Sequence, residues 1–391
     1  MSVGSSIDIG SWQQAHAAVK SEKIMGTEKL LEIKGNLMYW VPSFIFSQGL
    51  VEMNYGSWDS QMTSLSGLHS MIEQFKQNPM GPMATLTTDL AIEYALILHA
   101  PVKAGDIAAA YRFTGEKPDR EIRIALLHVL TCLQRSDLGK DEFLKILKKT
   151  EDQFKQNPEL SNDINWCRMA AWILEDARTL GPKRLQFLKE ARCAAPDISA
   201  RIMTAAVARA FATGTGFESE KELYPLIDVQ VSGNTVSGEL WRQLTVLKIA
   251  RAGRNPNAML RQVKEGLNES RFCAIPFYPK LCMMKSGLDV MTGRATPKDA
   301  EKMLKYALES SAMASDSDKA SLEVISSANP AAVVAKLMSE NRIVPAYWCG
   351  ILGIMTHQKN KKQVIEIAKV IEDNDKLLTW DERLLLKVLS D

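Results

Sequence analysis

The stretch PDISARIMTAAVARAFATGTG, Pro196 to Gly216, decides the fold class. Pro196-Asp197 opens a helix, because proline tolerates the first helical position, where its missing N–H would have no intrahelical partner. The body runs from Ile198 to Ala212, and Gly214 and Gly216 close it. The same punctuation recurs along the chain. Asp119 precedes Ile122, Ile124, Ala125, Leu126, Val129 and Leu130, a period near 3.6. Thr87-Thr88-Asp89 leads into an apolar run, Leu90–His99, that reads as a buried helix. Lys140-Asp141, Asn162-Asp163, Gly181-Pro182, Asn255-Pro256 and Asn329-Pro330 mark further starts. Thr296-Pro297-Lys298-Asp299 has the form of a capping box, and Thr379 with Glu382 forms another. Helices are expected over Glu239–Ala252, Phe277–Val290, Gln358–Glu372 and Thr379–Leu389. The fold class is therefore mainly α.

Three regions break the pattern. Residues 1–28 are polar and mixed and read as an arm. Leu30–Met53, with Trp40, Val41, Phe44, Ile45, Phe46 and Val51 interrupted by Gly35, Pro42 and Gly49, is the best candidate for strands, as a hairpin. Tyr224–Gly238 is β-branched and contains Gly233 and Gly238, and reads as a hinge between lobes. The hexapeptide Gln74–Pro79 recurs as Gln153–Pro158, but one repeat of this kind does not make a solenoid.

At 391 residues and 46% apolar, the chain can bury a large core. No apolar run approaches the roughly 20 residues of a membrane span, and Met1–Trp12 lacks the basic and apolar pattern of a secretory signal. The six cysteines are scattered without CxxC spacing, as expected of free buried thiols rather than zinc ligands. His16, His69, His99, His128 and His357 are isolated, and His99 and His128 sit in apolar helices as core residues. Gly214-Thr215-Gly216 follows a helix and lacks a dinucleotide fingerprint. With no Walker A sequence, GxSxG elbow or metal motif, the chain reads as a non-enzyme without cofactor or metal.

The net charge of +2 hides an asymmetry. Trp241–Lys285 holds nine Lys/Arg against two acids, and Gly181–Gly216 holds six against two. Clustered positive charge in a near-neutral chain points to a polyanion partner. Lys and Arg contact phosphates without reading bases, so such a protein would bind nucleic acid without sequence preference.

The segment Arg271-Phe272-Cys273-Ala274-Ile275-Pro276-Phe277-Tyr278-Pro279-Lys280-Leu281-Cys282-Met283-Met284-Lys285-Ser286-Gly287 resembles the central motif of nucleoproteins from nonsegmented negative-strand RNA viruses, the mononegaviruses. Phe272, Tyr278, Pro279 and Gly287 match, while Ser286 stands where Met is expected and the spacer between Phe272 and Tyr278 is one residue long. Cys167–Arg178 followed by Gly181-Pro182-Lys183-Arg184 is similar to the helix and basic turn of that family's N-terminal lobe. Leu223-Tyr224-Pro225-Leu226 resembles its inter-lobe segment, and Gly293-Arg294 a C-terminal-lobe Gly-Arg, at a shorter distance from Gly287 than the family keeps. The resemblance covers about residues 160–310, and the absence of the family's long tail is similar to a compact, mymonavirus-like member.

This resemblance implies a two-lobed helical nucleoprotein with an RNA groove between the lobes and exchanged terminal arms. The divisions are 1–28 (arm), 29–226 (N-terminal lobe), 227–360 (C-terminal lobe) and 361–391 (C-terminal arm). It implies coating of single-stranded genomic RNA in a helical ribonucleoprotein, self-association through the arms, and contact with the viral polymerase or its cofactor. Residence in the virion and the host-cell cytoplasm, with the nucleus open, follows. The RNA-contacting candidates are Arg168, Lys183, Arg184, Lys280, Lys285 and Arg294 by position in the motifs. Arg192 and Arg201 are chosen by charge, and Tyr224 as a stacking residue. Lys280 and Lys285 are five residues apart, about 140° around a helix, so one of them is expected to miss the groove. Phe272, Tyr278 and Pro279 read as packing residues. The alternative function is a helical-repeat scaffold for another protein.

Overall fold

The computed structural model describes residues 101–111, 118–135, 196–214, 238–270, 277–310 and 316–391, together with Ile92, Leu96, His99, Lys145 and Lys148. Twelve α-helices are described: α1 Pro101–Ala110, α2 Pro118–Gln134, α3 Pro196–Thr213, α4 Gly238–Arg251, α5 Pro256–Ser270, α6 Tyr278–Met291, α7 Pro297–Ser310, α8 Asp316–Ser326, α9 Pro330–Ser339, α10 Ile343–Thr356, α11 Lys361–Glu372 and α12 Trp380–Ser390. A 3-10 turn, Asp375–Leu377, joins the last two. Among the described residues there is no strand, and no helix is long and apolar enough to cross a membrane. The candidate hairpin at Leu30–Met53, the arm at 1–28, the repeated hexapeptide and the hinge before Gly238 lie outside the described residues.

The start signals act as their chemistry requires. The helices α1, α2, α3, α5, α7 and α9 each begin at a proline. Asn255 Oδ1 accepts from the backbone N–H of Asn257 and of Ala258, and Asn329 Oδ1 from that of Ala332. At α7, Thr296 and Asp299 exchange bonds: Asp299 N–H donates to the Thr296 hydroxyl (3.2 Å), which donates to the Asp299 carboxylate at 2.6 Å. At α12 the Glu382 carboxylate accepts from the Thr379 backbone N–H at 3.1 Å.

The centre of the C-terminal half is α10, which the amphipathic pattern does not single out because it has no polar face. Twelve of its residues, Ile343 and Pro345–Met355, are buried. Around it pack α6, α8, α9, α11 and α12. Phe277, before α6, lies edge-on between Trp241 and Trp348, with ring centroids 5.9 and 5.2 Å away. The glycine of the motif has a packing reason. A Cβ on Gly287 would stand 2.8 Å from both Cβ and Sδ of Met355, so α6 and α10 approach as closely as they do only because residue 287 has no side chain.

The two ends of the described chain are joined. Helix α12 packs on α3 and α4, and α3 packs on α2 and α4. Residues 361–391, the expected C-terminal arm, pack in this chain on its own helices: Val364, Ile367, Ala368 and Ile371 of α11 and Leu384, Leu385, Leu386 and Leu389 of α12 are buried. The physical reason is their amphipathicity, since each helix has an apolar stripe and this chain's own helices cover it.

Gly287→Ala is expected to destabilise the fold by about 1–3 kcal/mol, the usual range for overpacking a core. Urea unfolding followed by circular dichroism measures it, and an unchanged midpoint would mean that α6 and α10 can separate without loss.

Candidate nucleic-acid interface

The basic residues divide into those drawn into the helical body and those left outside it. Arg242, on α4, belongs to the first group. Its guanidinium donates to Glu239 at 2.8 and 3.0 Å, to Asp381 at 3.2 Å and to Glu382 at 3.4 Å. The opposite oxygen of Glu382 meets His99 Nε2 at 2.7 Å. Tyr347 Oη donates to the Glu382 carbonyl at 2.8 Å, and Trp380 Nε1 to the Leu133 carbonyl at 2.6 Å. Helices α2, α4, α10 and α12 and the segment before α1 thus converge on one buried polar cluster.

Burial opposes the charged forms in this cluster, and neighbouring charge reverses the effect at most of its members. At His99 burial disfavours the imidazolium, but the Glu382 carboxylate outweighs it and raises the pKa. At Glu382 burial works against the carboxylate, but His99 and then Arg242 hold its pKa down at about 2. Glu239 is likewise lowered, with Arg242 overcoming burial. Asp381 is the exception: burial dominates, Arg242 opposes it only partly, and its pKa rises to about 6.

Of the sequence candidates, Arg168, Lys183, Arg184, Arg192 and Tyr224 lie outside the described residues. Arg201 is 2% exposed on α3, where its charge helps to lower the pKa of Glu239. Lys280 is 7% exposed and forms an ion pair with Asp318 of α8. In this arrangement neither charge reaches a surface that a phosphate could approach. Lys285 is half-buried and donates to Asp289, one turn on, at 2.7 Å. The angular separation of Lys280 and Lys285 therefore takes the two side chains into different environments. Arg294 is exposed, and its Nη2 donates to Asn257 Oδ1 at 3.0 Å.

That last bond locates a basic surface. Arg294 lies in the turn between α6 and α7, where Gly293 takes φ +70°. Its partner Asn257 is in the first turn of α5. Arg254, immediately before α5, is exposed as well and lies 3.7 Å from the Asp391 carboxylate. Along α5 the exposed positions include Asn257, Arg261, Lys264, Glu265 and Asn268, a spacing that puts them on one face. The positive end of the helix dipole, Arg254, Arg294, Arg261 and Lys264 thus line one helix from its first turn onward. Arg261, Lys264 and Arg254 belong to the basic span read from the sequence. Of these cations only Arg294 falls within a sequence motif, since nothing in the sequence distinguishes Arg261 from the half-buried Arg242.

Cys132, Cys282 and Cys349 are buried free thiols, and burial pushes the Cys282 thiol up to about 11. Comparisons with protein-family models, with curated proteins and with solved structures give no match.

The cluster gives stability a definite pH dependence. A raised His99 pKa stabilises fully below the ordinary histidine value of 6.5 and loses that contribution as pH rises through the folded value. A lowered Glu382 pKa stabilises above the ordinary 4.5 and loses its contribution as pH falls towards about 2. His99→Gln should therefore flatten the alkaline limb of a Tm-against-pH curve while lowering its plateau. Parallel wild-type and variant curves above pH 6.5 would show that His99 does not carry the proton.

Proposed function

We propose that this protein is a viral nucleoprotein that coats single-stranded RNA without regard to sequence and serves as the template scaffold for a polymerase. The observation that carries the reading is the segregation of charge. From the basic span, Arg242, Lys280 and Lys285 are held by carboxylates of the chain itself. Arg261 and Lys264, joined by Arg294, stand exposed along α5, and Arg254 before it is exposed beside the Asp391 carboxylate. Long cationic side chains on a rigid helix suit a polymer of phosphates, because such contacts need regular spacing and no base recognition. The resemblance of Arg271–Gly287 to the mononegavirus motif points the same way.

In this reading the protein has two lobes, about residues 29–226 and 227–360. The His99–Glu382–Arg242 cluster ties a residue of the first to a residue of the second through α12. Residues 361–391 pack within the chain, so self-assembly falls to residues 1–28. Removing 1–28 should give a monomer of unchanged helical content by gel filtration and circular dichroism. Persisting oligomers would place the subunit contact elsewhere.

The RNA surface is tested by the triple variant Arg261→Ala, Lys264→Ala, Arg294→Ala. Exposed substitutions of this kind should leave Tm within a few degrees of wild type. Affinity for a single-stranded oligonucleotide should fall, and the slope of log K against log salt should flatten by roughly 0.7 per lost contact. Equal slopes and equal affinities would remove the α5 face from the RNA site. Wild-type protein that binds no RNA, and carries none after purification without nuclease, would end the nucleoprotein reading itself.

A further inference from the structure

Arg209, on α3, is half-buried and has no carboxylate partner among the described residues. Its guanidinium carbon lies over the Trp380 ring, 5.3 Å from the centroid. Arg383, one turn along α12 from Trp380, stacks on the same ring at 4.3 Å. Lys387, a further turn on, donates to the Ala212 carbonyl at the end of α3. The seam between α3 and α12 therefore holds two guanidiniums on one indole and, next along it, a lysine at the end of α3.

Among the described residues the local balance is positive. Arg383 is held by the backbone carbonyls of Asp375 (3.0 Å) and Gln134 (3.4 Å). The Asp375 carboxylate and the more distant Glu382 favour its charge, while burial and Arg209 oppose it. Glu382 already answers His99 and Arg242. The C-terminal end of α3 adds the equivalent of about half a negative charge, part of which Lys387 meets. Among the described residues, three full cations against one carboxylate and the C-terminal ends of α3 and α12, each about half a negative charge, leave a surplus. A guanidinium withdrawn from water without a counter-ion is costly, since stacking on an aromatic ring returns only about 0.5–2 kcal/mol. A tetrahedral oxyanion removes that cost. Its oxygens do not share one plane, so donors arriving from two helices can each reach one, and guanidinium forks match phosphate oxygens.

We infer that Arg209 and Arg383 on Trp380, with Lys387 next along the α3–α12 seam, form a phosphate-binding site separate from the α5 face. Its ligand is a phosphate group, supplied either as the free anion or by an RNA backbone. The inference stands apart from the nucleoprotein reading, because the free anion tests it even if no RNA binds.

The experiment uses the full chain and its variants Arg209→Gln and Lys387→Gln. The Lys387 side chain is exposed, so that variant keeps the test open if Arg209→Gln folds poorly. Inorganic phosphate is titrated by isothermal calorimetry and by Tm, with chloride and acetate at matched ionic strength as blanks. Wild type should bind phosphate and gain Tm beyond the blanks. Each variant should bind roughly tenfold more weakly, the usual consequence of losing a charged hydrogen bond. Equal phosphate binding by wild type and both variants, or a Tm gain common to all three, would overturn the site. The latter is the general effect of an excluded salt. A second arm titrates a single-stranded oligonucleotide. A salt slope flattened in Arg209→Gln identifies the RNA backbone as the source. A slope equal to wild type, with phosphate binding still lost, identifies the free anion.

Discussion

The structure depends on one constraint: Glu382 of the last helix must be ionised inside the protein. Its carboxylate is fully buried, with His99 on one oxygen and Arg242 on the other. A buried charge of this kind persists only when its partners are in place, and removing one partner typically costs 3–5 kcal/mol because the other is left uncompensated. His99 comes from before α1, Arg242 from α4 and Glu382 from α12, residues separated by up to 283 positions. The cluster therefore forms only when these three parts of the chain have found each other, and it fixes α12 against α3 and α4 in one register. His99 itself takes φ +58°, an uncommon backbone state for a side-chain-bearing residue. Its short bond to Glu382 belongs to the contacts that hold it there.

The same cluster sorts the protein's charges. Neutralising Glu239, Asp381 and Glu382 inside the core requires cations inside the core, and Arg242 and Arg201 supply them. Asp318 takes Lys280 in the same way at the α6–α8 contact. Of the cations left exposed, Arg254, Arg261, Lys264 and Arg294 gather on α5 and in the turns that flank it, while others, such as Lys248, Lys302 and Lys362, are spread over other helices. Net charge could not reveal this arrangement, because buried and exposed arginines count alike in a sum.

The segment that resembles the mononegavirus motif contributes architecture in its described part. Phe277 fills the space between two tryptophans, Gly287 permits the contact with α10, and Lys280 closes an ion pair with α8. These are reasons of packing, so a chain could keep such residues for the sake of its helical core whatever the core supports. The nucleic-acid reading accordingly rests on the exposed cations together with the motif, and on the two basic surfaces that experiments can address separately.

By itself the sequence determined the helical class and most helix limits. The proline, Asn and Thr signals at 196, 255–256, 296–297, 329–330 and 379 and the glycine at 214 act locally, through backbone geometry and capping bonds a few residues long. It also determined that His99 and His128 are buried, since both lie in apolar helical runs. It left α10 unremarked, because a helix without a polar face has no amphipathic period. It gave residues 361–391 an arm's role, because an amphipathic helix at a chain end looks the same whether its stripe is covered by its own core or by a neighbour. Only the tertiary structure shows that stripe packed on the chain's own helices, and which of the described arginines face water. Glu382 and Arg242 lie on separate helices and His99 in a turn before α1, and no local pattern can encode that one carboxylate will require both of the others.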